Sequence, residues 1–256
     1  MTQEKSSGTM GFFEHLDELR VRLTHCLVIF FAGFLFCYFF AVEWVMGILR
    51  APLFNFLPPE QQKLYFTSLF ENFLTHLKIS GYASLFFFSP FYFYQLWKFI
   101  VPGLYARERK MVIPFIVVAT LFFLGGACFA YFVLFPIGFK FFVHYGVSSD
   151  VPLLTIDAYY GTCLKLLLFF GVAFELPVLI VLLGVLGIID ENLLKSQRKT
   201  AILIITVLCA FFAPPDAVSM LILMAPLMVM YEGSIYVVQW LMAKRRNQVQ
   251  KVKGEM

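Results

Sequence analysis

The amino-acid sequence predicts an all-α membrane protein of six transmembrane helices, with both termini in the cytoplasm and short fifth and sixth helices. Three observations carry this. The 256 residues are 61% hydrophobic and 14% charged, against about 45–50% apolar and about 25% charged in a soluble domain, and mean hydropathy is +0.81. The charges fall in short clusters between apolar runs, several of which reach the ~20 residues that a crossing requires. The basic residues are shared unequally between alternate connections. A soluble protein with a large core would need a charged shell, and the chain lacks the residues for one.

The elements follow in order. Residues 10–23 form an amphipathic helix on the cytoplasmic membrane surface: Phe12, Leu16, Leu19 and Leu23 make one apolar face, and Glu14, Glu18 and Arg22 make a polar one. This polar start, with no small-residue cleavage site after a short apolar region, does not read as a cleavable signal peptide. Span one covers 23–42, between Arg22 and Glu43, and span two covers 79–97, between Lys78 and Lys98. Between them lies a long first outer loop, about Gly47 to Thr75, broken at Leu57-Pro58-Pro59-Glu60, with Phe66 to Phe73 reading as a short surface helix. Span three covers 111–136, with room to tilt. Span four covers 158–183, interrupted by Lys165 and Glu175. Spans five and six cover 200–215 and 217–241, with residues 242–256 as a cytoplasmic tail. About 14 helical residues in span five reach only about 20 Å, against a hydrocarbon core of about 30 Å. Two readings stay open there: two short crossings through a thinned bilayer, or a re-entrant hairpin turning at Pro214-Pro215-Asp216. The chain reads as one membrane domain, without internal repeats.

Orientation follows from the basic residues. Fifteen of the twenty Lys and Arg lie before span one, in the second-to-third and fourth-to-fifth connections, or after span six; Arg50, Lys63 and Lys140 lie on the other side. That excess places both termini in the cytoplasm. Trp44, Trp97 and Trp240 fall near span ends, where amphipathic rings favour the interface. The net charge of +4 is spread in clusters, which argues against nucleic-acid binding. The five cysteines lie in apolar runs with no CxxC pair, so they read as buried hydrophobes, without disulfides or a metal site. His15, His25, His76 and His144 make no ligand spacing, and no catalytic motif is present.

Four groups of residues carry chemistry. On spacing, Glu18 is open to two readings: a binding carboxylate, or an i,i+4 partner of Arg22. Glu108, among Arg107, Arg109 and Lys110, is either a binding carboxylate or a local counter-charge. Glu175 lies deep in span four, where a carboxylate is costly, two residues before Pro177. It is either functional or a helix–helix hydrogen-bonding group. Lys165, ten residues away, falls on another face and is no direct partner. Glu232 in span six is open in the same way.

These residues sit in motifs that resemble the TatC family, the large multi-spanning subunit of the twin-arginine protein translocase. The motifs are His15-Leu16-Asp17-Glu18-Leu19-Arg20-Val21-Arg22-Leu23; Tyr94 to Tyr105 (YQLWKFIVPGLY) continuing to Glu108-Arg109-Lys110; Phe174-Glu175-Leu176-Pro177; and Pro215-Asp216 with Ser219, Pro226 and Tyr231-Glu232. The resemblance implies a cupped, glove-like bundle in the bacterial inner membrane. It implies a non-enzymatic receptor that binds twin-arginine signal peptides of folded cargo and assembles, in several copies, with single-span TatA/TatB-type proteins. Transport would be driven by the proton-motive force, with no cofactor. Glu18 and Glu108 are then the signal-peptide carboxylates, with Arg20 and Phe99 as neighbours. Glu175 is the intramembrane functional residue, and Pro215, Asp216, Ser219 and Glu232 mark the partner-docking hairpin. Ala213 and Met220 depart from the polar residues that some relatives carry there. A small-solute transporter and a structural scaffold are the rival classes. The first has no pair of interrupted helices in corresponding halves behind it.

Overall fold

The computed structural model describes residues 12–100, 112–145, 153–185, 187–212 and 217–254. Among these residues the chain is helical, and the one β feature is an isolated parallel bridge between Tyr65 and Thr155. The helices are α1 (Phe12–Phe36), α2 (Val42–Phe54), α3 (Glu71–Phe87), α4 (Ser89–Ile100), α5 (Val112–Phe129), α6 (Phe135–Tyr145), α7 (Ile156–Ala173), α8 (Glu175–Val185), α9 (Glu191–Ser196), α10 (Arg198–Phe212) and α11 (Ala217–Gly254). π turns at Cys37–Ala41 and Ala130–Leu134 join α1 to α2 and α5 to α6 without leaving the helical region.

Four stretches are long and apolar enough to cross a membrane: Phe13–Phe54, Ile113–Lys140, Ile156–Gly184 and Met220–Ala243. They overlap the segments expected as spans one, three, four and six, and the first, at 42 residues, runs well past 23–42 on both sides. Span two is broken at Phe88, which sits at φ −99°, ψ 11° between α3 and α4. Pro90, in the first turn of α4, explains the break, because proline has no N–H to donate and its ring disfavours helix in the residues before it. Span five, the 15-residue α10, is short, as its composition indicated.

Two expectations are corrected here. Residues 12–23 are the first turns of α1, continuous with span one, and not a separate surface helix. Nothing in Phe12–Phe36 stops a helix: there is no proline, and Gly33 is its only glycine. Second, Phe66 to Phe73 is no separate helix. Residues 66–70 are non-helical and α3 starts at Glu71. The Glu71 carboxylate reaches back to accept the Ser68 N–H (3.3 Å), and the Glu71 N–H donates to the Ser68 carbonyl (3.1 Å), a tight backbone turn that leads into α3.

The helices group into two compact units. The first gathers the described residues of 1–50, 64–121 and 155–161. In it α1 packs on α3 and α4 through small residues, as expected where backbones approach closely in a bilayer. Ser80 and Ser84 are fully buried. The Ser84 hydroxyl donates to the Phe30 carbonyl (3.1 Å), and a Cβ on Gly33 would lie 2.5 Å from that hydroxyl. The outer faces of α1 and α2 expose Phe31, Leu35, Phe39, Phe40 and Trp44, a surface suited to lipid rather than water. The second unit gathers the described residues of 51–63, 122–154 and 162–256. Here α11 packs along α8, with Gly184 against Val238. Gly126 and Gly171 let α5 and α7 approach closely: a Cβ on Gly126 would stand 2.3 Å from the Phe170 carbonyl oxygen, and one on Gly171 would stand 2.9 Å from the Phe123 ring. Against expectation, the sixth helix is not short: α11 runs for 38 residues, to Gly254 and through most of the expected tail, with no proline after Pro226 to stop it.

Candidate functional site

One polar constellation in the first unit lies at the start of α1 against α4. Helical spacing puts Glu18 and Arg22 one turn apart, and an Arg22 terminal nitrogen donates to Glu18 Oε1 at 3.1 Å. The other terminal nitrogen of Arg22 donates to the side-chain oxygen of Gln95 on α4 at 3.4 Å. The pair is largely withdrawn from solvent: the side chains of Glu18 and Arg22 are 15% and 23% exposed. Glu18 Oε2 and Arg22 Nε are buried and, among the described residues, have no hydrogen-bond partner. A carboxylate with one oxygen in use, facing a guanidinium bound through single nitrogens, is an incompletely satisfied charged site, and such groups are costly when buried.

Beside it, the His15 ring stacks on Phe99, with centroids 4.3 Å apart and planes 15° off parallel. Trp97, buried on α4, packs on Phe115 (4.9 Å), and Lys98 lies over the Tyr94 ring (4.6 Å). The motif from Tyr94 to Phe99 therefore divides its work by position: Trp97 anchors α4, while Gln95 and Phe99 reach α1. Arg20 is exposed on the same stretch of α1, and its carbonyl accepts from Thr24 (2.8 Å). Glu108 lies outside the described residues. Of the four expected signal-peptide residues, Glu18 and Phe99 thus fall in one cluster, with Arg20 exposed on its helix. Sequence reading passed over His15 and Gln95, although both stand inside the quoted motifs.

In the second unit, Phe174 breaks the helix between α7 and α8, and Glu175 is the first residue of α8. Pro177, in that first turn, would meet the carbonyl of residue 173 in an unbroken helix. The break thus places a carboxylate at a helix start in mid-span, where the dipole favours it. Its carboxyl is hydrogen-bonded to the Phe123 backbone, and Oε1 is buried without a partner among the described residues. Lys165 is exposed. Glu232 accepts from Arg198 at 2.7 Å, joining the start of α10 to α11, a pairing that one-dimensional spacing does not reveal. Tyr231 donates to the Leu194 carbonyl (2.8 Å) alongside it. Pro215 and Asp216 lie outside the described residues, and Ser219 falls in the first turn of α11.

A further cluster of the first unit, at the end away from Glu18, went unseen in the sequence. The Glu71 carboxylate accepts from the Thr67 N–H (2.6 Å), the Thr67 hydroxyl (2.8 Å) and the Ser68 N–H. Its other oxygen accepts from the Asp157 N–H at 2.9 Å, the first turn of α7. These donors hold the carboxyl down at about 2, the Asp157 and Thr67 N–H groups foremost. Tyr159 and Tyr160 on α7 donate to the Leu49 and Met46 carbonyls, and the Arg50 Nε donates to the Tyr160 hydroxyl. A cavity of about 380 Å³ opens beside Glu71. The charged groups lining it are already paired, Lys78 with Asp157 and Glu71 with its four donors, so it offers no free charge to a ligand. Among the described residues no group of His, Cys, Asp and Glu is placed to hold a metal.

The motif clusters agree with comparison to known proteins. The family model for the Sec-independent protein translocase protein (TatC) matches residues 14–226. The chain belongs to the TatC family. It is 38% identical to the TatC of Campylobacter jejuni over 226 residues, covering 88% of this chain and 92% of that one. It is 33% identical to the TatC of Escherichia coli K12 over 239 residues, covering 93% and 92%. Among solved structures, a twin-arginine translocase receptor TatC crystallised in DDM matches with a TM-score of 0.80 and 35% identity, covering 87% of this chain and 98% of that one. The chain is therefore a TatC-type subunit of a Sec-independent protein translocase, a multi-pass helical membrane protein whose relatives are named as translocase components rather than enzymes.

Proposed function

We propose that this TatC protein is the core receptor of a twin-arginine translocation system. It binds twin-arginine signal peptides of folded proteins and nucleates a complex that the proton-motive force drives. The observation that carries this is the charged site at Glu18: a carboxylate largely removed from water, already holding a guanidinium, with one oxygen unpartnered among the described residues. Guanidinium–carboxylate pairing is planar and two-pronged, which ammonium cannot reproduce. That gives such a site a chemical reason to prefer arginine to lysine. Glu108 supplies the second carboxylate for a pair of arginines, and Arg20 and Phe99 border the site.

The wider assignment follows from the same reading. The chain spans the bacterial cytoplasmic membrane six times, with both termini cytoplasmic. It self-associates and recruits single-span TatA/TatB-type partners where the short α10 meets α11, near Pro215, Asp216, Ser219 and Glu232. Glu175 keeps a polar point in mid-membrane. No cofactor or nucleic acid takes part. The test is binding of a fluorescent peptide carrying an arginine pair to purified protein, with a twin-lysine control. Preference for arginine that is lost in the Glu18→Ala/Glu108→Ala double variant supports the receptor. Equal binding of both peptides by folded protein, with partner subunits present, refutes it.

A further inference from the structure

Arg22 presents an unusual occupant for a carboxylate held ready for arginine. It lies on the same helix, one turn from Glu18, and meets that carboxylate with the same chemical group as the ligand. Its hold is incomplete. One terminal nitrogen meets Glu18 Oε1 at 3.1 Å, the other meets Gln95 at the long distance of 3.4 Å, and Nε meets nothing among the described residues. A good guanidinium–carboxylate contact uses two parallel N–H···O bonds. Here a single nitrogen reaches the carboxylate, and Oε2 is left buried without a partner. The side chain is long, flexible and 23% exposed, so it has a route to water once another guanidinium takes its place on the carboxylate.

We propose that Arg22 is an internal stand-in for the signal-peptide arginine, displaced when the peptide binds. This rests on the receptor reading above. While the site is empty, Arg22 keeps Glu18 from being a bare buried charge, and Gln95 holds Arg22 in place. An incoming arginine that engages both oxygens of Glu18 satisfies Oε2 and releases Arg22. The site then rejects cations that use a single nitrogen, because these gain nothing over Arg22. Arg22 and Gln95 thus set specificity without themselves forming the final contact.

The test is the dissociation constant of a fluorescent twin-arginine peptide for the full chain, in a cycle of Arg22→Gln, Glu18→Gln and both. Arg22→Gln should bind about two- to fivefold more tightly, the factor that release of one partly exposed ion pair corresponds to. That gain should vanish in the Glu18→Gln background. A gain that persists without Glu18 would mean simple charge repulsion and overturn the proposal. So would weaker binding by Arg22→Gln, which would make Arg22 a support for Glu18. Arg22→Lys keeps the charge and loses the second nitrogen toward Gln95. It should fall between wild type and Arg22→Gln, and weaker binding than wild type would likewise overturn the proposal. Should Glu18→Gln alone leave affinity unchanged, the receptor reading itself fails, a result distinct from the others.

Discussion

Gly125 and Gly126 are neighbours on α5 with opposite surroundings, and their alanine variants should behave oppositely. A Cβ on Gly126 would stand 2.3 Å from the Phe170 carbonyl oxygen and 2.7 Å from its carbon, whereas a Cβ on Gly125 meets nothing within 4 Å. The obstruction at Gly126 is backbone, so no rotamer change relieves it, and α5 must move from α7 by about 1 Å to restore an ordinary contact distance. Such overpacking typically costs about 1–3 kcal/mol. Alanine's helix propensity returns about 1 kcal/mol at either position. Gly126→Ala should therefore lose up to about 2 kcal/mol net, and Gly125→Ala should be neutral or gain up to about 1 kcal/mol. The assay is thermal loss of the monodisperse peak in detergent, comparing both variants with wild type. If Gly126→Ala survives heating as well as Gly125→Ala, the α5–α7 contact is not as close as described and this reasoning fails.

Three further outcomes are expected. Glu71 has its carboxyl lowered from about 4.5 to about 2, so its contribution is complete above pH 4.5 and lost as pH falls through about 2; Glu71→Gln should flatten the stability profile between those values, measured by thermal shift against pH. Asp190 caps α9 by accepting the Leu193 N–H at 2.8 Å, and Asp190→Ala should destabilise by about 1 kcal/mol, read from the same heating assay. Arg198 and Glu232 pair at 2.7 Å while remaining partly exposed, so a double-mutant cycle should give a coupling of no more than about 1 kcal/mol that shrinks with added salt.

The apolar runs were legible because bilayer thickness imposes a length on them, and four of them lie in long helical stretches. Orders within spans were harder to see. The break at Phe88 was signalled by Ser89-Pro90, and that at Phe174 by Pro177, yet an unbroken apolar run hides both. The start of α3 at Glu71, fixed by the carboxylate reaching back to Thr67 and Ser68, was obscured by the aromatic residues around it. At the Glu18 site, the i,i+4 contact with Arg22 was readable from spacing. The arrival of Gln95 and the stacking of His15 on Phe99 were not, because they depend on how α4 crosses α1. The Arg198–Glu232 pair and the Glu71–Asp157 contact join residues 34 and 86 apart in the chain, separations at which a single sequence carries no pairing signal.

The π turns at Cys37–Ala41 and Ala130–Leu134 have a meaning for how this chain can vary. A π turn is an α-helix carrying one surplus residue, taken up locally as a wider loop of backbone. Packing on either side keeps its phase: Cys37 is buried within the first turn and Met46 and Leu49 are buried beyond it. Removing one residue from the widened turn leaves those faces pointing as before, whereas a deletion elsewhere in the same helix rotates everything downstream by about 100°. The two turns are thus the places in these long helices where lineages can differ in length by one residue without rebuilding the surfaces that the helices present.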